Sequence, residues 1–207
     1  MSYQEKKNVL TFSTSVSKDV QQDVIAITFQ ETIEGLNSNN VQAALIQPLQ
    51  EALSLAKAIA DGDLVSVSTG EFSVSPKYNN LGSIIGFLGK AEMIVSGTNV
   101  EAISNLAIAI TSMTVESVAH STSRNLREST EAEICTAAIE SFKSKADHYT
   151  TTFGLTVYTV CEATISVNVN YPPGPYMTSA YSSIASLPIE GGTDTITVTV
   201  NGSVQMA

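Results

Sequence analysis

Residues 24–31, VIAITFQE, alternate large apolar side chains with small or polar ones. Ile25, Ile27 and Phe29 fall on one face of this run, which is the pattern of a half-buried β-strand. Residues 9–16, VLTFSTSV, are also rich in β-forming residues and come shortly before it. We therefore expect two adjacent antiparallel strands at the start of the fold.

Three later stretches have helical periodicity. The predicted helices span residues 41–60, 99–111 and 127–153, and Gly154 is expected to cap the third. Pro48 removes a backbone donor inside the first helix, so we expect a kink or break near residues 44–48. The predicted apolar face of the first helix comprises Val41, Leu45, Leu49, Leu53 and Ala56. The predicted apolar stripe of the third comprises Cys135, Ala138, Phe142, Ala146, Tyr149 and Phe153.

Further strands are predicted at residues 65–74, 84–96, 114–121, 155–169 and 194–205. The resulting order, ββαββαβαββ, predicts an α+β fold in which amphipathic helices pack on a mainly antiparallel sheet. A chain of 207 residues can bury a substantial core, and we expect one domain over residues 1–207.

Charge and composition exclude several classes of partner. The formal net charge is −10, and the ten basic residues form no cluster, so the sequence predicts no nucleic-acid partner and no anionic membrane surface as a partner. The longest uncharged stretch, residues 163–189, contains four prolines, so no membrane-spanning segment is predicted. Because no signal peptide follows Met1, the protein is either cytoplasmic or a mature exported chain to which Met1 was added.

The two cysteines are weak candidates for catalysis. Cys135 falls on the apolar stripe of the third helix, where a buried structural thiol is favoured. Cys161 alternates in phase with Val157 and Ala163, which predicts a core position on a sheet face. A Cys135–Cys161 disulfide is an open alternative. His148 follows Cys135 by thirteen residues and falls on the other side of the same helix, so the two form no dyad.

Other motifs also favour structural roles. Asp61-Gly62-Asp63 is interpreted as a turn that ends a helix rather than a calcium loop. Residues 82–90, GSIIGFLGK, fail the phosphate-loop pattern and are interpreted as a strand whose glycines permit a close backbone approach. The sequence therefore predicts no catalytic residue, no metal site and no cofactor.

Residues 171–192, YPPGPYMTSAYSSIASLPIEGG, form the one segment in which a functional role competes with a loose surface loop. Large aromatic side chains on a proline-stiffened backbone are typical of subunit contacts. The exposed Thr face of the last strand could also extend the sheet of a neighbouring copy. The predicted oligomer contacts are Tyr171, Tyr176, Met177 and Tyr181.

Several ordered features resemble the SIMPL domain family, also called domain of unknown function 541, which occurs in bacterial envelope proteins. They are FSVSPKY at residues 72–78, Ile85-Gly86-Phe87, the long helix ending at Gly154, and Pro188-Ile189-Glu190-Gly191 before a Thr/Val strand. The resemblance covers roughly residues 9–205. It implies an α+β fold, export to the periplasm or cell envelope, assembly into rings or other large oligomers, and no accepted catalytic residues. Members of the family are often linked to oxidative stress.

Together with the patterns above, this resemblance implies a non-enzymatic, self-assembling bacterial envelope protein that forms a homo-oligomer and is linked to the stress response. It is placed in the periplasm or envelope if Met1 was added to an exported chain, and otherwise in the cytoplasm. One alternative is a module that binds an unknown small molecule between sheet and helices. The other, less favoured, is a thiol-dependent redox sensor.

Overall fold

Ten strands and helices follow one another along residues 8–60, 62, 64–170 and 191–207, which a computed structural model describes. The α+β class is confirmed, and the predicted succession matches roughly, with the bounds of most elements differing by one to several residues. The elements are β1 (Val9–Gln21), β2 (Val24–Gly35), α1 (Ser38–Ile59), β3 (Val65–Tyr78), β4 (Ile84–Gly97), α2 (Val100–Ala109), β5 (Thr114–Ser121), α3 (Arg124–Thr152), β6 (Tyr158–Asn170) and β7 (Thr193–Met206).

The elements group into two compact units, each with its own hydrophobic core. The first unit holds α3 and a three-stranded sheet in the order β1-β7-β6. The second holds α1, α2 and a four-stranded sheet in the order β3-β4-β2-β5. All strand pairs in both sheets are antiparallel. The single domain expected over residues 1–207 stays a prediction.

The expected pairing of the first two strands is wrong. β1 pairs along its whole length with β7, from Val9 opposite Gln205 to Gln21 opposite Thr193, whereas β2 pairs with β4 and β5. Only residues 22 and 23 separate β1 from β2, and Gln-Asp is not one of the glycine-containing pairs that close a two-residue hairpin. The chain therefore passes from one sheet to the other at this point.

α1 packs on β2, β3 and β4 through the face that the sequence predicts. It continues from Ser38 to Ile59 through Pro48, so the expected break is absent. An internal proline costs a helix about 3 kcal/mol. Buried residues on both sides of it, including Leu45 and Ala52, hold the helix on the sheet and offset that cost.

The glycine-containing strand predicted at residues 82–90 is confirmed from Ile84 onward, in β4, whereas Gly82 lies in the turn before this strand. A Cβ atom on Gly89 would lie 2.5 Å from Cγ1 of Val41 and 2.7 Å from Cδ1 of Leu45, both on α1. Glycine therefore allows the helix to approach this strand closely.

In α3 every fourth residue from Thr130 to Thr150 is buried, and these residues anchor the helix in the first unit. The predicted stripe is correct at Ala138, Phe142 and Ala146, and Phe12 of β1 stacks on Phe142 with a centroid distance of 4.4 Å. It is wrong at Phe153, which is 64% exposed because it follows the last turn of the helix. Gly154, at φ +75°, takes the capping conformation that was predicted for it. The buried residues of α3 are Thr130, Ile134, Ala138, Phe142, Ala146 and Thr150.

Candidate functional site

β6 is an edge strand of the first unit. It pairs with β7 from Tyr158 opposite Met206 to Asn170 opposite Thr195, and its other side pairs with no strand among the described residues. Thirteen residues in extended conformation give an edge about 40 Å long. Such an edge presents backbone N–H and C=O groups that can pair with another chain.

Apolar side chains on β6 lie on the core face of the sheet and are nevertheless exposed. Residues directly opposite each other in a sheet share a face, and the β7 partners of these side chains are at most 2% exposed. The β6 side chains are 44–48% exposed, because α3 packs mainly on β1 and β7. We call this set the β6 stripe: Val160, Ile165 and Val167, opposite Val204, Val200 and Val198.

β6 has few of the features by which natural proteins protect sheet edges, which include charges, prolines, β-bulges and short length, although its register has one irregularity, between Val160 and Glu162. Glu162 is its one charged residue, and it has no proline. The opposite edge strand, β1, carries Lys18 and Asp19. In the other unit, edge strand β3 carries Pro76 and two irregularities in register, and edge strand β5 has eight residues. Of the four edges described, β5 and β6 carry a single charged residue each, and β6 is the longer of the two.

The predicted core position of Cys161 is wrong, because Cys161 is exposed. The register passes from Val160 opposite Val204 to Glu162 opposite Ser203, so Cys161 is the extra residue. The bulge interrupts the alternation on which the prediction rested, and the core-face neighbours of Cys161 on β6, Val160 and Ala163, are themselves exposed. Cys135 is only partly buried, and both cysteines are free, so the alternative of a disulfide between them is not realised.

The predicted oligomer contacts Tyr171, Tyr176, Met177 and Tyr181 lie outside the described residues. The predicted role of the last strand in extending a neighbouring sheet is wrong, because β7 is the central strand and is paired on both sides. Hydroxyl groups on its Thr face bond instead to β1, with a Thr199–Ser15 distance of 2.8 Å.

The densest group of charges surrounds Lys90 in the second unit. Its ammonium lies 2.5 Å from a carboxylate oxygen of Glu92 and 3.6 Å from oxygens of Glu71 and Glu116. The hydrogen bond to Glu92 raises the pKa of Lys90 and lowers that of Glu92.

The described residues contain no group of three or more His, Cys, Asp or Glu side chains able to hold a metal ion. On β5, burial lowers the pKa of His120.

A pocket of about 320 Å³ lies at one end of the sheet of the second unit, between the end of β2 and the β3–β4 hairpin. Its walls combine apolar side chains with an ion pair in which Nζ of Lys77 lies 2.7 Å from Oε2 of Glu34. The pocket is lined by Glu34, Gly35, Leu36, Lys77, Ile85, Gly86 and Phe87.

Within the described residues, no α-helix has both the length and the apolar character needed to cross a bilayer.

Comparison with known proteins places the chain in a family. No curated protein matches the chain. The profile of the SIMPL family, described as "Protein of unknown function (DUF541)", matches residues 10–204, which span both units. The chain therefore belongs to the SIMPL family.

Proposed function

We propose that this protein is a non-enzymatic bacterial envelope protein that self-assembles, and that the edge of β6 forms a contact between copies. The observation that carries the proposal is the β6 stripe, which is apolar, half-exposed and next to a strand edge that pairs with no strand of the described residues. Long apolar edges of this kind aggregate unless a specific partner covers them.

A second copy of the chain is the partner that this edge fits best. Each copy carries the same edge, and antiparallel pairing of two β6 strands about a two-fold axis would pair both edges at once. It would also place the β6 stripe of each copy at the new junction and withdraw its exposed half from water.

Burial of the β6 stripe alone does not supply enough free energy to hold two copies together. Full burial of a Val or Ile side chain is worth about 1.5–3 kcal/mol, so covering the exposed fractions in two copies is worth at most about 4–8 kcal/mol. Association costs about 4–15 kcal/mol in lost freedom of motion. The backbone ladder along β6 and further contacts must supply the difference. The predicted contacts at residues 171–181 are our proposal for those further contacts.

Native mass measured by light scattering tests the β6 contact. Ile165→Lys places a charge in the stripe, and Leu55→Lys is the matched control because Leu55, on α1, is 43% exposed against 44% for Ile165. We expect a defined oligomer for the wild type and for Leu55→Lys, and a smaller species for Ile165→Lys. A wild type that is monomeric at micromolar concentration would contradict the proposal.

Deletion of residues 171–186 tests the other contact separately. If the deletion variant forms a smaller oligomer and Ile165→Lys does not, the contact between copies lies in this segment and not at β6.

The proposed cellular location, the periplasm or envelope, rests on the family resemblance. A protein found only in the cytoplasm on fractionation of the source cells would contradict it.

The pocket supports a second candidate function, binding of a small molecule. Its volume is at the lower end of the range for ligand sites, and three apolar side chains face one ion pair in its walls. A ligand bound there would raise the melting temperature of the wild type and not that of Leu36→Asp. A metabolite screen without any such shift would exclude this candidate for the compounds tested.

A further inference from the structure

Large apolar side chains are most exposed at the tip of the β3–β4 hairpin and on the residue after β2. Leu81 is 90% exposed and Leu36 is 86% exposed, the two highest values for large apolar residues in the described part of the chain. Leu36 and Ile85 line the same pocket, Tyr78 lies opposite Ile84 in the register, and Leu81 stands in the turn between β3 and β4, so the five residues lie at the same end of the sheet. We call it the tip surface: Leu36, Tyr78, Leu81, Ile84 and Ile85.

Hydrogen bonds fix the turn that presents Leu81. The side-chain oxygen of Asn79 accepts from the backbone N–H of Leu81 at 3.0 Å and of Ser83 at 2.9 Å. Gly82 supplies the positive φ that the turn needs, and its N–H donates to the carbonyl of Asn79. The exposure of Leu81 is therefore a consequence of an ordered turn.

The tip surface carries almost no net charge, although the chain as a whole is strongly acidic. Residues 72–91 contain none of the twenty Asp and Glu residues. The two cations of this stretch are paired, Lys77 with Glu34 at 2.7 Å and Lys90 with Glu92 at 2.5 Å. An apolar tip without net charge can enter a medium that excludes charged groups. It would not be attracted to a partner surface of either charge.

We propose that the tip surface docks on a lipid bilayer by inserting into the interface of uncharged, zwitterionic headgroups. Apolar side chains that project from a turn can enter a fluid interface without a matched cavity, whereas a folded protein partner would have to provide one. Tyr78, at the base of the turn, has the amphipathic ring that favours the headgroup level. Few side chains take part, so binding is shallow and reversible. The inference is independent of the β6 contact and goes beyond the proposed function.

The absence of tryptophan from the chain allows a direct test. Leu81→Trp places a single fluorophore at the tip, and Phe153→Trp places one at an exposed site, 64% accessible, in the other unit. With phosphatidylcholine vesicles we expect a blue shift and quenching by brominated lipid for Leu81→Trp and neither for Phe153→Trp. An unshifted Leu81→Trp spectrum, or equal shifts at both sites, would overturn the proposal.

A concentration series without vesicles separates lipid from protein as the partner. A blue shift of Leu81→Trp that grows with protein concentration alone would show that the tip docks on another copy, and would overturn the lipid proposal. Repeating the vesicle titration in the Ile165→Lys background separates failure of this inference from failure of the β6 contact. We expect the same spectral shift in both backgrounds.

Vesicle co-sedimentation supplies a readout without a new aromatic residue. Leu81→Ser and Ile84→Ser should each lower the partition coefficient by about tenfold, the effect of losing most of one buried apolar side chain. Ile108→Ser, at a residue of α2 that is 49% exposed, should leave the partition coefficient unchanged.

The salt dependence of vesicle binding is a further test: binding should not change between low and high salt. Binding that weakens steeply with salt would overturn the proposal of a neutral headgroup surface.

Discussion

Replacement of Gly202 by alanine tests how the core of the first unit is packed. Gly202 lies in the central strand β7, and a Cβ atom there would lie 2.8 Å from Cζ of Phe142 and 2.6 Å from the carbonyl oxygen of Glu162. The Phe142 ring cannot move away freely, because Phe12 stacks on it at 4.4 Å. The new methyl group would therefore push against a confined ring and a backbone atom together.

The expected destabilisation follows from these distances. Overpacking a core costs about 1–3 kcal/mol, and a clash with backbone, which has no rotamer to change, places Gly202→Ala at about 2–3 kcal/mol. Phe142→Leu alone should cost about 1–2 kcal/mol, less than the about 3–5 kcal/mol of a Phe→Ala change. The double variant should lose about 1 kcal/mol less than the sum, because the smaller side chain relieves one of the two clashes.

Urea unfolding followed by circular dichroism measures these free energies. Ser203→Ala is the matched control, since Ser203 is the next residue along β7 and points to the other face; it should change stability by less than about 0.5 kcal/mol. Strictly additive effects of Gly202→Ala and Phe142→Leu would refute the argument that the Phe142 ring is what requires glycine at position 202.

Two further predictions concern carboxylates. Asp194 is fully buried and accepts a 2.6 Å hydrogen bond from the hydroxyl of Thr122, so Asp194→Ala should cost about 1.5–3 kcal/mol in urea unfolding. The control, Asp19→Ala, removes an exposed acceptor of Thr195 and should cost less than about 1 kcal/mol; equal costs would contradict the role of burial. Burial raises the pKa of Glu31, so its ionised form destabilises the folded state, and that penalty grows as pH rises through the folded pKa. Glu31→Gln should therefore melt at a higher temperature than the wild type at pH 7 and at the same temperature below about pH 4, and a difference that is constant with pH would contradict this account.

Local patterns predicted what local physics determines. The alternation of Ile25, Ile27 and Phe29 identified a core-facing strand, and all three side chains are fully buried. The helical spacing from Val41 to Ala56 identified the buried face of α1 for the same reason, because the side-chain period is a property of the element itself.

Features that depend on distant residues could not be predicted in this way. The pairing of β1 with β7 joins the two ends of the chain, and no residue near β1 signals its partner. The bulge at Cys161 depends on how β6 meets β7, and the exposure of this strand depends on where α3 lies, so the alternation alone could not show that the thiol is exposed. The turn that presents Leu81 is fixed by nearby residues, Asn79 and Gly82, but the exposure of Leu81 depends on which elements pack nearby.

The geometry of the first unit explains why the sequence did not predict the candidate interface at β6. Val160, Ile165 and Val167 have the residue types of an ordinary core strand, and they would be buried if a helix lay over them. A helix is about 10 Å across and strands are about 4.8 Å apart, so one helix covers about two strands. Among the residues that the structure describes, the second unit has two helices for four strands, whereas the first has α3 alone for three, and α3 lies over β1 and β7. One strand's width of core face is left over in the first unit. A second copy of the chain can cover it without any change in fold.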